Sequence, residues 1–485
     1  MEAKISFRSH QILFFNFFAF TVCFAVWVLN GVLVTYLVDN DLFKWNSIQI
    51  GWLIGIPILT GSIFRLPFGM LTDKYGGRWV FGALLLFLAI PLFFLSKATT
   101  FWEFAFCSLG FGMAGNAFPI GNAFTSLWYP SRWQGRALGI FGAGNIGASI
   151  TSALVPFLLI HFTHNNSNPE GWRIIPQLYA VGAIVTAVVF ILLTKNKKSL
   201  AAEKTIRQML LPLKHSRVWR FGLYYFLAFG CFVAVTQWLI QYYMNVYSIS
   251  LAEAGLLATV FIFPSGIIRI AGGWISDKFS AFSTMIWILV VSFFCCLLLI
   301  IPRMEIYTPG EGILAKRTGT VISVSDSLIV VGNEKYPLIA ANTDNLKSIE
   351  NTDKHFIFPK KTSWQEPIVK EGDNVIKKQL LARGITRINF HANIWVAVAL
   401  IFFLGISWGI GKAAVYKFIS DYFPHDVGTV GGIVGTLGGL GGFLSPFIFG
   451  YLLQWTGLWT SMWIFLALIS IVCLWCMKEE RKDRN

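Results

Sequence analysis

"RLPFGMLTDK" (Arg65–Lys74) and "RIAGGWISDK" (Arg269–Lys278) both read R-x3-G-x3-D-K and stand 204 residues apart. Each places an arginine inside a run that is otherwise apolar. A second echo pairs "GRALGIFGAGNIG" (Gly135–Gly147) with "GTVGGIVGTLGGLGG" (Gly428–Gly442), where Gly135, Gly139 and Gly142 match Gly428, Gly432 and Gly435 at an offset of 293. Two motifs repeated in the same order predict a duplicated chain. The growth of the offset by 89 residues predicts an insert of that size between the two motifs of the second copy.

Hydropathy places the insert independently. The chain is 55% hydrophobic and only 13% charged, with 45 Phe and 19 Trp, the profile of a polytopic membrane protein. Runs long enough to cross a hydrocarbon core as helix are expected at 12–38, 48–71, 79–96, 100–128, 135–160, 174–194, 219–246, 252–274, 282–301, 393–420, 428–454 and 458–476. Lys4 and Arg8 precede the first run as they would in a leader, but that run is too long and lacks a small-residue cleavage site, so it reads as the first helix. The long polar stretch is 303–391, with 13 basic and 10 acidic residues. The expected organisation is a six-helix half (1–194), a linker (195–218), helices seven to nine (219–302), the insert (303–391), and helices ten to twelve with a tail (392–485).

A net charge of +15 raises the possibility of nucleic acid, but its location argues against it. Outside the insert, with both termini cytoplasmic, only Lys44, Lys97 and Arg173 face the far side, while Arg65, Arg269 and Lys412 lie within spans. The rest gather on one face, the positive-inside bias of a multi-pass inner-membrane protein. Helix parity puts the insert on the extracytoplasmic side. "TGTVISVSDSLIVVG" alternates like a strand, and "PIVKEGDNVIKKQLLARG" reads strand–turn–strand, so a small β-rich domain is expected. The seven cysteines fall inside spans without metal spacing, and Cys473/Cys476 reads as lipid-facing packing. No metal, cofactor or catalytic set is indicated, so the chain is not expected to be an enzyme.

An arginine at a helix centre is disfavoured by roughly 2.5–3.5 kcal/mol on insertion scales. Arg65 and Arg269 could snorkel towards Asp73 and Asp277, but snorkelling does not explain why both halves keep the residue at the same place. No acidic residue lies in the central part of any span, so nothing within the membrane neutralises the pair. Related by a pseudo-two-fold, the two guanidinium forks would converge on a small planar oxyanion. Gly-x-x-Gly spacing in the two glycine segments lets their helices approach neighbours closely. Asn145, a bare amide among those glycines, reads equally as a helix–helix bond or a ligand contact. "GNAFPIGNAF" (Gly115–Phe124) sets Asn116 and Asn122 in the fourth span, with Phe118 free to stack on a planar ligand. Lys412, in "GIGKAAVYKF", is the third intramembrane cation and, unlike arginine, can release a proton.

At this point the residues resemble a known family. The twelve spans resemble the major facilitator superfamily, and "GMLTDKYGGR" (Gly69–Arg78) is similar to its loop 2–3 gating motif, represented by Gly69, Asp73 and Lys74 with Asp277 in the second copy. The arginine pair with "ALGIFGAGNIG" and "GGIVGTLGGLGG" resembles the nitrate/nitrite porter (NarK-type) family, whose signature glycines would be Gly139, Gly142, Gly144, Gly432, Gly435 and Gly438. The resemblance implies an all-α facilitator of two six-helix halves that transports nitrate by alternating access. It implies that Arg65 and Arg269 bind the anion, that Asn145 is the signature asparagine, that Phe118 and Tyr416 sandwich the ligand, and that Tyr225 is a further contact. "GIGKAAVYKFISDYFP" (Gly409–Pro424) looks more like the nitrate/proton symport branch, with Lys412 the coupling candidate, than the nitrate/nitrite antiport branch. The insert is similar to a barrel-sandwich hybrid without an attachment lysine motif. It leaves open a transceptor role in which it docks an extracytoplasmic partner. The expected partners are nitrate and nitrite, protons and the lipid bilayer.

Overall fold

The computed structural model describes residues 6–165, 167–197, 208, 211–300, 304–340, 360–390, 393–423 and 427–482. Half of the expected linker, 198–207 and 209–210, lies outside the described residues. Two compact units separate, residues 1–300 with 398–485, and residues 301–397.

The first unit is helical. Its spans are α1 (Phe7–Asp39), α2 (Ser47–Ile63, continued after a 44° bend by Arg65–Tyr75), α3 (Gly77–Leu95), α4 (Phe101–Ser126), α5 (Arg136–Phe162), α6 (Pro169–Leu193), α7 (Ser216–Tyr247), α8 (Leu251–Phe279), α9 (Ala281–Leu299), α10 (Ile394–Tyr422), α11 (Thr429–Thr456) and α12 (Ser461–Glu479). These fall on the expected runs. The main difference is α8, which stays helical past 274 to include Asp277, because a helix that leaves the apolar layer keeps its own backbone hydrogen bonds satisfied. Twelve crossings return Phe7 and Lys482 to one face, called here the near face.

Several helices start where their sequences say they should. Asn46, Thr100 and Ser250 each cap the third residue of α2, α4 and α8, and the side chains of Gln49, Glu103 and Glu253 reach back to complete a capping box. At mid-membrane the helices lose regularity instead. α4 tightens to a 3-10 turn at Met113–Asn116, α5 does the same at Ala143–Asn145, and α7 widens to a π turn at Phe226–Cys231. With the bend of α2 at Phe64, four helices break regularity at the same level. Such turns redirect side chains and free backbone groups where the chain faces protein rather than lipid.

The halves interlock on the far side. A Cβ on Gly31 of α1 would lie 2.8 Å from Gln237 Cα of α7, and one on Gly55 of α2 would lie 2.7 Å from the Phe443 carbonyl of α11. No side chain fits at either point, so backbone touches backbone. Towards the near face the packing thins: a Cβ on Gly69 of α2 would meet nothing within 4 Å outside its own helix, and one on Gly139 of α5 would meet Ile270 of α8 at 3.9 Å. The structure is sealed on the far side and loose on the near side. Cys473, expected to face lipid, is instead buried, its thiol directed at the Leu223 carbonyl of α7 (3.8 Å). The last helix turns that face inward to cover α7.

The second unit is β-rich. A three-stranded antiparallel sheet has the order β1 (Met304–Leu314), β7 (Leu380–Phe390), β5 (Lys360–Pro367). A four-stranded sheet has the order β4 (Glu334–Pro337), β3 (Leu328–Val331), β2 (Gly319–Ser325), β6 (Asn374–Val375). Val321, Ile329, Val331, Tyr336, Val375 and Leu381 form its core. "TGTVISVSDSLIVVG" is thus a hairpin rather than one strand: Ser325 caps Leu328 across the turn and Val331 pairs with Glu334 beyond it. Arg383 of β7 holds Glu366 of β5 at 3.0 Å, and that contact keeps the Glu366 carboxyl below the usual carboxylate range.

The far-side seal carries a direct test. Gly55→Val forces α2 from α11 and is expected to weaken the sealed state by about 1–3 kcal/mol. A cysteine placed at Ser47 should then label faster with an impermeant thiol reagent. The control Gly182→Ala, at a glycine with nothing within 4 Å, should leave labelling unchanged.

Candidate functional site

Arg65 opens the second segment of α2 directly after the bend and is buried, with 3% of its surface exposed. Its Nε donates to the Gly61 carbonyl one turn back (3.2 Å), and its Nη1 donates to the Gly435 carbonyl of α11 (2.6 Å). Its guanidinium carbon lies 5.0 Å from the centre of the Phe229 ring on α7. Nη2 is buried and has no hydrogen-bond partner among the described residues. Arg269 on α8 repeats the arrangement from the other half. Its guanidinium lies 5.2 Å from the Phe118 ring of α4, and its Nη1 is likewise buried and unpartnered.

The glycine segments supply the floors. A Cβ on Gly435 would sit 3.1 Å from Arg65 Nη1, and one on Gly142 of α5 would sit 3.4 Å from the Arg269 guanidinium carbon. Each arginine therefore crosses to the opposite half for both its aromatic ring and its glycine. Among the other signature glycines, Gly432 faces Leu66 at 3.2 Å, Gly144 admits the Phe20 ring at 2.6 Å, and Gly438 takes the backbone and ring of Tyr225. Gly139 touches little, so it serves neither a close approach nor the site in this conformation.

The energies explain why the site stays electropositive. Two mid-helix arginines are disfavoured by about 5–7 kcal/mol together. Cation–π contact returns about 0.5–2 kcal/mol for each, and the carbonyl bonds satisfy part of the Arg65 fork. Among the described residues no ion pair involves Arg65, Arg269 or Lys412. The arginines lie within Coulombic range of one another, as does Lys412 of Arg269. Uncompensated positive charge, with donor hydrogens left over, is what an anion site requires.

The remaining expected residues group unevenly around this core. Asn145, 1% exposed, closes the 3-10 turn of α5, and neither its amide nitrogen nor its oxygen has a partner among the described residues. The helix–helix bond that the sequence left open is thus not made. Asn116 does bond, to the Met113 carbonyl (3.0 Å). Tyr416 of α10 meets Tyr225 edge-on at 5.5 Å, and its hydroxyl would lie 3.7 Å from a Cβ on Gly435. Tyr225 stacks flat on Phe229, rings 5.0 Å apart and 9° from parallel.

Phe229 is the residue the sequence reading passed over. It stands one turn after Tyr225 in "LYYFLAFG", a spacing that puts both on one helix face, and the π turn beginning at Phe226 carries it beneath Arg65. Lys412 is buried in α10, its Nζ 3.1 Å from the Ser265 hydroxyl and 3.1 Å from the centre of the Phe232 ring. Ser265 is one turn before Arg269 on α8, so lysine and arginine share a helix as neighbour. The gating copies have diverged. Asp277 pairs with Lys417 (3.2 Å), which also pairs with Asp421 (3.1 Å). Asp73 is exposed with no ion pair among the described residues, and Lys74 lies over the Tyr75 ring.

Comparison with known proteins agrees with this geometry. Residues 15–311 and 380–485 match the profile of the Major Facilitator Superfamily, leaving unmatched most of the β-rich unit. The chain is 35% identical over 471 residues to a probable nitrate/nitrite antiporter, NarK1, of Thermus thermophilus, covering 96% of this chain and 90% of that protein. It is 28% identical over 314 residues to a nitrite extrusion protein of Bacillus subtilis (64% of this chain, 77% of that one), and 30% identical over 261 residues to a probable nitrate transporter, NarT, of Staphylococcus haemolyticus (54% and 65%). In fold it is similar to an inward-facing bacterial homologue of the human lysosomal transporter Spinster, with a TM-score of 0.65 and 12% identity over 97% of this chain and 96% of that one. Duplicated halves, paired arginines within the spans and these relatives together establish that the chain belongs to the Major Facilitator Superfamily, in its nitrate/nitrite porter (NarK-type) family.

Proposed function

We propose that the protein moves nitrate across the bacterial inner membrane, binding it between Arg65 and Arg269 and exposing it to each face in turn. The single observation that carries the reading is the pair of arginines, each with a buried, unused donor nitrogen and no acidic partner among the described residues. A planar anion satisfies both forks, Asn145 offers an unpartnered amide one turn along α5 from the Gly142 that faces Arg269, and the rings suit its flat shape. Phe118 under Arg269 and Phe229 under Arg65 are the better placed pair of rings, with Tyr416 and Tyr225 closing one flank. The names of the relatives support nitrate and nitrite as the substrate class.

The direction we favour is import with protons, with both termini cytoplasmic. Lys412 supports it: buried, held among the described residues by a hydroxyl and a ring, and one turn of α8 from Arg269 through Ser265, it can trade its proton when the anion binds or leaves. Exchange of nitrate for nitrite is the second reading. It is supported by the lack of a carboxylate beside the arginines and by the name of the Thermus relative.

Uptake of nitrate into proteoliposomes separates the two. Symport predicts accumulation driven by an inward proton gradient with no internal nitrite; uptake seen solely with nitrite inside would reject it. Lys412→Met is expected to abolish gradient-driven accumulation while nitrate–nitrate counterflow persists. Arg65→Lys keeps the charge and loses the fork, and should weaken nitrate affinity on the order of 10- to 100-fold. An unchanged affinity would count against bidentate recognition.

A further inference from the structure

Between the far-side seal and open solvent lies a polar vestibule of about 510 Å³, walled by α1 and the loop after it, α7, and the α11–α12 connection. Its charged residue, Asp39, stands exposed at the rim. From α7 it receives Gln241 and Asn245. One turn deeper on the same helix is Gln237, at the point where α1 and α7 touch through Gly31. Residues 237, 241 and 245 repeat every four positions, so they form one stripe that descends about 6 Å per step towards the arginine pair.

The two inner members are unusual. Gln237 is 1% exposed and Gln241 5% exposed. Both side-chain polar atoms of Gln237, and the oxygen of Gln241, have no hydrogen-bond partner among the described residues. Asn245 at the mouth is braced instead, its amide donating to the Gln241 carbonyl (2.8 Å). A buried amide left unbonded is disfavoured by about 1–3 kcal/mol. A leucine at 237 would pack against Gly31 without that penalty, so packing does not account for glutamine there.

We propose that Gln237 and Gln241 form a second, neutral binding stop for a small inorganic oxyanion, occupied on its way between the far-side vestibule and the arginine pair. The inference rests on the reading of the arginines as the anion site. Primary amides donate two N–H groups each without adding charge. Neutrality matters on a path: a stop must replace part of the lost hydration yet hold the ion weakly enough to pass it on. With the far side sealed, Gln237 is closed off by Gly31. Separation of α1 from α7 uncovers it, which makes the stop part of the outer gate.

The test uses Gln237→Leu and Gln241→Leu in the full-length protein, with nitrate as the probe. Two quantities are measured: KM and kcat for uptake into proteoliposomes with the far face outward, and equilibrium nitrate affinity of the purified protein by titration calorimetry. The expected result is a KM raised about tenfold with equilibrium affinity at the arginines unchanged within about twofold. Wild-type KM and kcat in both variants would overturn the proposal, as would a parallel loss of equilibrium affinity, which would make the glutamines part of the central site or its packing. Gln241 lies on the vestibule wall outside the Gly31 contact, so its variant decides the matter even if Gln237→Leu fails to fold. A wild-type protein that moved no nitrate would bring down the reading of the arginines itself, and this stop with it.

Discussion

Two guanidinium groups held within the spans, with no ion-pair partner among the described residues, are the constraint around which the rest of this molecule is arranged. Their desolvation is offset in part by carbonyl oxygens, in part by aromatic faces, and the remainder is left as positive potential. Each of those supports demands its own local sacrifice of helical regularity. Arg65 needs the bend in α2 to reach Gly435, and Phe229 needs the π turn of α7 to lie beneath it. The 3-10 turn of α5 presents the bare amide of Asn145. The 3-10 and π turns lie in largely buried chain, where freed peptide groups find partners within the protein.

Much of this was legible in the sequence because it rests on one-dimensional signals. The twelve spans follow from run length, and the duplication from repeated motifs. The insert follows from the growth of one offset and from polarity. The arginines announced themselves as charges where charges are disfavoured. Aromatic residues gave no such signal. A phenylalanine in a membrane helix is ordinary, so Phe118 stood out only by its place among the asparagines of its span and by family resemblance, and Phe229 was not reached at all, since its placement depends on a π turn that no residue pattern marks. Cys473 went astray for a related reason: which face of a uniformly apolar helix meets lipid is decided by its neighbours, and α12 has no polar stripe over most of its length to reveal it.

The two halves are copies in sequence but not in use. The second copy of the loop motif is tied down by Lys417 between Asp277 and Asp421, whereas the first leaves Asp73 exposed. Lys412 has no charged counterpart in the first half, where the fourth span carries Asn116 and Phe118 instead. On the proposed reading, pseudo-symmetry supplies the shared anion site and the rocking axis, while departures from it supply whatever distinguishes one direction of movement from the other.

The crossing of each arginine to the opposite half has a consequence for how ligand affinity should be understood. Arg65 rests on Gly435 and Phe229, and Arg269 on Gly142 and Phe118, so the ring and the glycine that support one half's cation belong to the other. The pocket exists as a unit only while the halves are in register, and its affinity is an average weighted by how often they are. An agent that wedges the halves apart at either membrane face, without approaching the arginines, would therefore behave in a binding experiment as a competitor of the anion although the two share no atom of the protein.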